Sequence, residues 1–320
     1  MSVTDISFPN LGIFLTDVPQ SFSVFGFRIY LYSICIALGM AAGFFTSLQI
    51  AKRTGQDKEI YWDFTFRAII VSVICARIYY VIFRWDDFKG NLLSVFALRE
   101  GGLAIYGGVI GAFIRIFLFA RRRKIDPLLI GDTGVPCLIL GQAIGRWGNF
   151  FNREVFGGYS DGLLAMRLPI GAVRSEDISA DLAAHIGAGE NFIQVHPTFL
   201  YEMLWNLAIF LLLLLLWKFK TFNGEVILGY LGGYGLGRAF IEGIRTDTLF
   251  IPGTVIKVSQ ALAIVLVIFS IGTEIVTRVR LSRGWKPKYE VVRMGKPNET
   301  ESSKETPEED PEDNGEQQQS

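Results

Sequence analysis

The sequence predicts an all-α polytopic membrane protein with about seven transmembrane helices and a small extracytoplasmic head region. Three observations carry that prediction. Half of the 320 residues are hydrophobic. Leucine, isoleucine and phenylalanine gather into blocks about as long as a bilayer is thick. Clusters of lysine and arginine follow every second block.

A spanning helix needs about 20 predominantly apolar residues, and seven stretches qualify: 24–50, 61–83, 101–120, 127–145, 197–217, 225–244 and 256–277. Each is read as a helix, because lipid offers an open strand no partner for its backbone. The first stretch follows uncharged or acidic residues instead of a basic n-region. It ends at Ala51-Lys52-Arg53 without a small-residue cleavage signature, which predicts a retained helix and not a signal peptide. Lys52, Arg53 and Lys58 follow the first span, Arg121, Arg122, Arg123 and Lys124 the third, Lys218 and Lys220 the fifth, and Arg278, Arg280, Arg283, Lys286 and Lys288 the seventh. These sets share one face of a seven-span topology, and the positive-inside rule makes that face cytoplasmic. Residues 1–23 are then an extracytoplasmic segment and the C-terminus is cytoplasmic.

Within the membrane domain, 24–280, residues 146–196 form an outer connection too long for a plain loop and are expected to fold as the head. Residues 281–320 are expected to be a disordered tail, acidic toward its end. The formal net charge of zero sums a basic membrane portion and this tail, so it implies no nucleic-acid partner. Cys35, Cys75 and Cys137 lie in apolar segments without CxxC spacing, and two histidines are too few for a typical metal cluster. No disulfide framework and no metal site is expected.

Ionisable groups inside a bilayer are costly unless paired or hydrated. Arg67 and Arg115 lie near basic span ends and are read as snorkelling. Arg77, Tyr106, Arg146, Glu202 and Arg238 instead sit in the outer halves, or at the outer ends, of their spans. Glu202 is expected to pair with an arginine such as Arg77. In GLGRAFIEGIRTD, Arg238, Glu242 and Arg245 are spaced i, i+4, i+7 and share a helix face. An Arg238–Glu242 bridge neutralises two of them; Arg245 then leaves a positive charge for an anion to balance.

The stretch GRWGNFFNREVFGG, residues 145–158, adds a second positive site at the same level. Gly145 and Gly148 allow irregular backbone with exposed N–H groups, tolerated at such depth where it lines a cavity. Asn149 and Asn152 add neutral donors and acceptors. Two arginines from different helices with amides between them suit a phosphate; the lesser alternative is that Arg146 merely caps a helix and touches lipid headgroups. His196 precedes Pro197, whose ring suits a first helical turn, and reads as either a hydrogen-bond partner there or a base. Tyr106, among the glycines of GGLAIYGGVIG, and Tyr30 both fit interfacial aromatic anchors.

GRWGNFFNREVFGG closely resembles the signature of the prolipoprotein diacylglyceryl transferases, G-R-x-G-N-F-x-N-x-E-x-x-G. Gly145, Arg146, Gly148, Asn149, Phe150, Asn152, Glu154 and Gly157 meet every fixed position. The resemblance extends to GGLAIYGG, HPTFLYE and GRAFIE and covers about residues 20–280. It implies transfer of the diacylglyceryl group of phosphatidylglycerol to the lipobox cysteine thiol of a prolipoprotein, forming a thioether and releasing glycerol 1-phosphate. The setting it implies is the outer leaflet of a bacterial plasma (inner) membrane, with no cofactor. By the same resemblance Arg146 and Arg238 hold the phosphate, Asn149, Glu154, Gly157 and Tyr30 match functional positions, and Glu242 matches the acidic partner of Arg238. Asn152, Glu202 and Arg245 complete the expected substrate-binding set.

Tyr106 departs from the pattern, standing where some members carry a histidine proposed as the thiol base. Tyrosine, with a usual pKa of about 10, is a poor base at neutral pH. The preferred reading is that the arginine field lowers the acceptor thiol's pKa and Tyr106 orients substrate, with His196 the second choice as base. A transporter for a small organic anion would also bury arginines, but it predicts midplane charges and repeat symmetry. Here the charges gather toward one leaflet and no repeat is found.

Overall fold

The computed structural model describes residues 4–97 and 101–295. It is mostly helical, with six short strands. Nine α-helices lie among the described residues: α1 (Leu31–Arg53), α2 (Lys58–Phe83), α3 (Trp85–Phe88), α4 (Ile105–Arg123), α5 (Pro127–Asn152), α6 (Ala180–Ala184), α7 (Thr198–Phe219), α8 (Glu225–Ile244) and α9 (Val258–Ser282). Of these, α1, α2, α5, α7 and α9 are long and apolar enough to cross a membrane. The other two long helices are more polar because α4 carries Arg115 and Arg121–Arg123 and α8 carries Arg238, Glu242 and several glycines.

The all-α expectation is corrected by the strands β1 (Ile6–Phe8), β2 (Ile13–Leu15), β3 (Ser21–Val24), β4 (Phe27–Tyr30), β5 (Met166–Pro169) and β6 (Phe192–Val195). Antiparallel pairing gives a four-stranded sheet of order β2-β1-β5-β6 and a separate β3–β4 hairpin. The N-terminal segment and the 146–196 connection therefore fold together. Their core is Ile6, Phe156, Leu168, Leu182, Ile193 and Val195, packed on Phe150 and Phe199 from α5 and α7. Arg153 fixes this unit to the end of α5 by donating to the carbonyls of Thr4 and Val18, 2.6 Å each. Strands of three or four residues carry too little alternation to be read locally. The apolar 24–30 stretch, expected as helix, is hairpin.

Glycines set the closest helix approaches. A Cβ at Gly39 of α1 would lie 2.9 Å from the Gly141 carbonyl oxygen of α5, and one at Gly43 2.9 Å from that of Cys137. Gly148 lies under the Tyr32 ring. α5 stays helical through Gly145, Arg146 and Gly148, so these glycines serve packing and the expected irregular backbone is absent there. The physical reason is that small residues let helix backbones approach in apolar surroundings.

At the end remote from Arg146, Asp132 of α5 and Lys220 after α7 form a fully buried ion pair of 2.8 Å. Asp132 also accepts from the backbone N–H groups of Gly224 (2.8 Å) and Ile227 (3.0 Å), and Lys220 lies 4.0 Å from the Trp217 ring centroid. The segment after α9 folds back here: Arg293 donates to the Lys220 carbonyl (2.7 Å), and Val292 and Met294 join the core around Trp217. The expected disordered tail is thus tied to the bundle through residue 295, and its remainder lies outside the described residues. Arg67 pairs with Asp63 at 2.8 Å and stays exposed. Arg115, expected to snorkel, is buried beside Phe119. Removing one partner of a buried pair strands the other's charge, so Asp132→Ala is expected to cost about 3–5 kcal/mol, measured as a lowered midpoint of thermal unfolding in detergent.

Candidate active site

Helices α5, α7 and α8 deliver alternating charges to one point. Arg146, in the penultimate turn of α5, forms an ion pair with Glu202 Oε2 from the first turns of α7. Glu202 Oε1 accepts from Arg238 Nη1 of α8 at 2.8 Å. Arg238 Nη2 reaches Glu242, one turn on, at 2.6 Å. Arg245, just past α8, approaches Glu202 at 3.7 Å and Glu242 at 3.8 Å, and it holds Asp247 in a fork of 3.0 and 2.8 Å. On the other flank Arg146 Nη1 donates to Asn149 Oδ1 at 3.3 Å, while Glu154 accepts from the side-chain amides of Asn149 (3.0 Å) and Asn152 (3.3 Å). Glu154 thereby fixes which face Asn149 turns to the arginine.

The charge left over in the sequence reading is balanced within the protein. Three arginines face three carboxylates, because Asp247 supplies the counterion for Arg245. Asp247 was missed, although it stands two residues past Arg245 in IRTD, close enough to fold back as a local partner. These directly paired groups balance three to three, with Glu154 a further carboxylate one amide away, and they are polarised. Arg146 and Arg238 keep 19% and 16% of their side chains exposed, against 4% and 3% for Glu202 and Glu242, so the cations face outward and the anions lie behind them.

They face two cavities. One, of about 400 Å³, is lined by Tyr106, Arg146, Tyr234, Arg238, Arg245 and residues of α9. The other, of about 540 Å³, is mainly apolar and runs between α1, α2 and α5 from Arg146 and Asn149 down to Tyr61 and Phe64. Arg146 and Ile105 line both. Ile105 and Tyr106 open α4, and the loop leading to them is held by Arg77. Its guanidinium donates to the carbonyls of Ser94 (2.7 Å), Val95 (2.8 Å), Gly101 (2.8 Å) and Gly102 (2.9 Å). Arg77 therefore does not pair with Glu202 as expected, because four backbone carbonyls saturate it and arginines closer at hand take the carboxylate.

The remaining expected residues lie around the network. Gly157 sits where the chain after α5 crosses α7 and the end of α8: its N–H donates to the His196 carbonyl, and a Cβ would lie 2.8 Å from that of His196. Arg153 and Val155 take left-handed backbone in the same turn, a conformation sparse for a β-branched residue, and Thr198 Oγ1 donates to the Val155 carbonyl. Tyr30 ends β4 as the residue before α1. His196 Nδ1 lies 3.2 Å from the Tyr201 hydroxyl. Tyr30, Gly157 and His196 line neither cavity; Tyr32 and Tyr234, which do, were not singled out by sequence.

A family model described as prolipoprotein diacylglyceryl transferase matches residues 19–276. The chain belongs to this family. It is 43% identical over 246 residues to the phosphatidylglycerol–prolipoprotein diacylglyceryl transferase of Oceanobacillus iheyensis, a match covering 76% of this chain and 82% of that protein. The relative of the same name in Shouchella clausii is 40% identical over 253 residues, 78% of this chain and 87% of its own. That of Listeria monocytogenes serotype 4a is 37% identical over 278 residues, 87% and 95%.

Burial pushes the His196 imidazole below its usual value. The folded state therefore binds this proton less tightly than the unfolded chain, so the contribution to stability is complete above about pH 6.5 and is lost as the pH falls from there through the depressed folded value. The unfolding midpoint is expected to drop across that window and the drop to be shallower in His196→Asn, as measured by thermal unfolding at a series of pH values.

Proposed function

We propose that the chain transfers the diacylglyceryl group of phosphatidylglycerol to the thiol of the lipobox cysteine in a prolipoprotein, releasing glycerol 1-phosphate, the first step of bacterial lipoprotein maturation. The observation that carries this reading is the convergence of Arg146 and Arg238 on Glu202 at the junction of a charged and an apolar cavity. A phospholipid has the same two-part character. Its phosphate fits the guanidinium faces, and its acyl chains fit the cavity along α1 and α5.

The reaction joins the thiol sulfur to the glyceryl carbon and breaks that carbon's bond to the phosphate oxygen. The electron pair stays on that oxygen, so a phosphodiester of charge one minus leaves as a monoester approaching two minus. Arg146 and Arg238 already have their guanidinium planes fixed by Glu202, Glu242 and Asn149, and donors fixed in advance where charge develops lower the barrier most. Their N–H groups not bonded to those partners are free to serve the phosphate. The same cationic face stabilises a thiolate arriving beside it, displacing the thiol pKa below its usual 8.5 or so; the thiol proton passes to solvent. Tyr106, on the charged cavity and 57% exposed, orients substrate by hydrogen bonding. Glu154 holds Asn149, and Gly157 keeps the crossing at His196 narrow.

The reading includes seven spans, α4 and α8 among them, with the sheet unit and active site toward the outer leaflet of the bacterial plasma membrane and the C-terminus cytoplasmic. The basic clusters after α1, α4, α7 and α9 support it.

In proteoliposomes with phosphatidylglycerol and a lipobox peptide, wild type is expected to add diacylglyceryl mass to the peptide cysteine and release glycerol phosphate. Arg238→Ala and Arg146→Ala are expected to lower that rate by at least about 100-fold while still inserting; normal transfer by either folded variant would refute the phosphate assignment. Tyr106→Phe is expected to lose about tenfold or less, the scale of one hydrogen bond, in the same assay. A loss as deep as that of the arginine variants would assign Tyr106 to the proton transfer.

A further inference from the structure

Among the described residues, Arg115 is the one buried arginine for which no hydrogen-bond acceptor is found. It is 7% exposed, its Nε and Nη2 have no hydrogen-bond partner, and its contacts are the rings of Phe119 (4.8 Å) and Phe64 (6.0 Å). The other two buried arginines are treated differently: Arg77 meets four carbonyl oxygens and Arg153 three. Ring faces attract a guanidinium but accept none of its N–H groups in the plane where a hydrogen bond is strong. An uncompensated cation in apolar surroundings costs several kcal/mol, so its acceptor comes from outside the chain.

The surroundings define that acceptor. Arg67, Arg122 and Asp63 are the charged groups near enough to act on Arg115. Asp63 is already shared between Arg67 (2.8 Å) and Arg123 (3.2 Å), so the cluster has an excess of cations and no carboxylate left for Arg115. Ten residues of α4 separate Arg115 from Ile105 at the reactive cavity, about 15 Å of helix, and the cluster sits toward the opposite end of the bundle. Phe66, Ile114 and Phe117 expose apolar side chains beside it, which in a bilayer contact hydrocarbon. We propose that Arg115, with Arg67 and Arg122 at the rim, forms a second, non-catalytic site that binds the phosphate of an anionic phospholipid from the leaflet opposite the active site. Its oxygens accept from the guanidinium, its charge offsets the cluster, and its acyl chains lie along the exposed faces of α2 and α4.

The test is thermal unfolding of the purified full-length protein in a neutral maltoside detergent, titrated with dihexanoyl phosphatidic acid, dihexanoyl phosphatidylcholine or inorganic phosphate. Wild type is expected to be stabilised by phosphatidic acid and by neither of the others. Arg115→Met is expected to be at least as stable as wild type without lipid, because a lone buried cation is gone, and to respond less to phosphatidic acid than wild type, keeping only the part due to the reactive cavity. Arg67→Gln, a change at an exposed position that spares the fold, is expected to need about tenfold more lipid for the same shift, and it decides the matter if Arg115→Met does not fold. The response is expected to survive in Arg238→Ala, which separates this site from the reactive cavity. Equal stabilisation of Arg115→Met and wild type, an unchanged Arg67→Gln titration, loss of the response in Arg238→Ala, or an equal effect of inorganic phosphate would each overturn the proposal.

Discussion

Glu154, Asn149, Arg146, Glu202, Arg238, Glu242, Arg245 and Asp247 form a continuous chain of hydrogen bonds and ion pairs across α5, α7 and α8, and much of the fold serves to make it possible. Buried charges persist only when each finds its partner, and these partners come from three helices and two loops. The Asp132–Lys220 pair fixes the same three helices at the other end of the bundle. Glycine contacts bring α1 against α5, and Arg77 holds the loop that brings Ile105 and Tyr106 to the cavities. The sheet unit closes over the turn after α5 through Arg153.

Arginines matched by carboxylates look paradoxical at the phosphate site proposed above, because free positive charge would bind phosphate more strongly at long range. Short-range geometry resolves it. Two guanidiniums without counterions, brought together in a bilayer, would repel and turn toward solvent. Glu202 between them converts that repulsion into attraction and fixes the N–H directions. Since Glu202 and Glu242 are buried behind the arginines, an anion in the cavity meets the positive end of each pair, and the pairing cost has been met during folding. In the proposed reaction the affinity given up is uniform binding of ground state and transition state, whereas the fixed donors would favour the state in which phosphate charge is growing.

The five helices apolar enough to cross a membrane were legible in the sequence because hydrophobic length is a local signal, and the Arg238–Glu242 pairing was legible because helix periodicity is local too. The errors fall where local signals are ambiguous. Residues 24–30 are apolar enough for lipid, but an apolar run alone does not separate a strand from a helix, and they form the β3–β4 hairpin. β1 pairs with β5 across some 160 residues of chain, and nothing in ISF announces that partner. Glu202 was placed with Arg77 because both read as outer-half charges; which arginine it meets depends on helix rotation and on the carbonyls that the 84–104 loop offers Arg77, and neither is a sequence pattern. Asp247 is the opposite case, a partner two residues away that a wider view of the IRTD turn finds.

The position of Tyr106 bears most directly on how the thiol loses its proton. A dedicated base has to stand at the reacting atoms with a pKa near the working pH. His196 has the chemistry, with burial holding its pKa below the usual imidazole value, but not the place, since it lines neither cavity. Tyr106 has the place but not the chemistry. What remains at the cavity is the cationic face of Arg146 and Arg238, which in the proposed reaction would act on the thiol's own equilibrium. Each unit by which that face lowers the thiol pKa raises the thiolate fraction near neutrality by up to tenfold, at some cost in intrinsic nucleophilicity. On the proposed mechanism, with the thiolate formed by the field and the leaving phosphate held by the same two arginines, one structural element would serve both ends of the substitution, and a tyrosine at position 106 would be compatible with a working site.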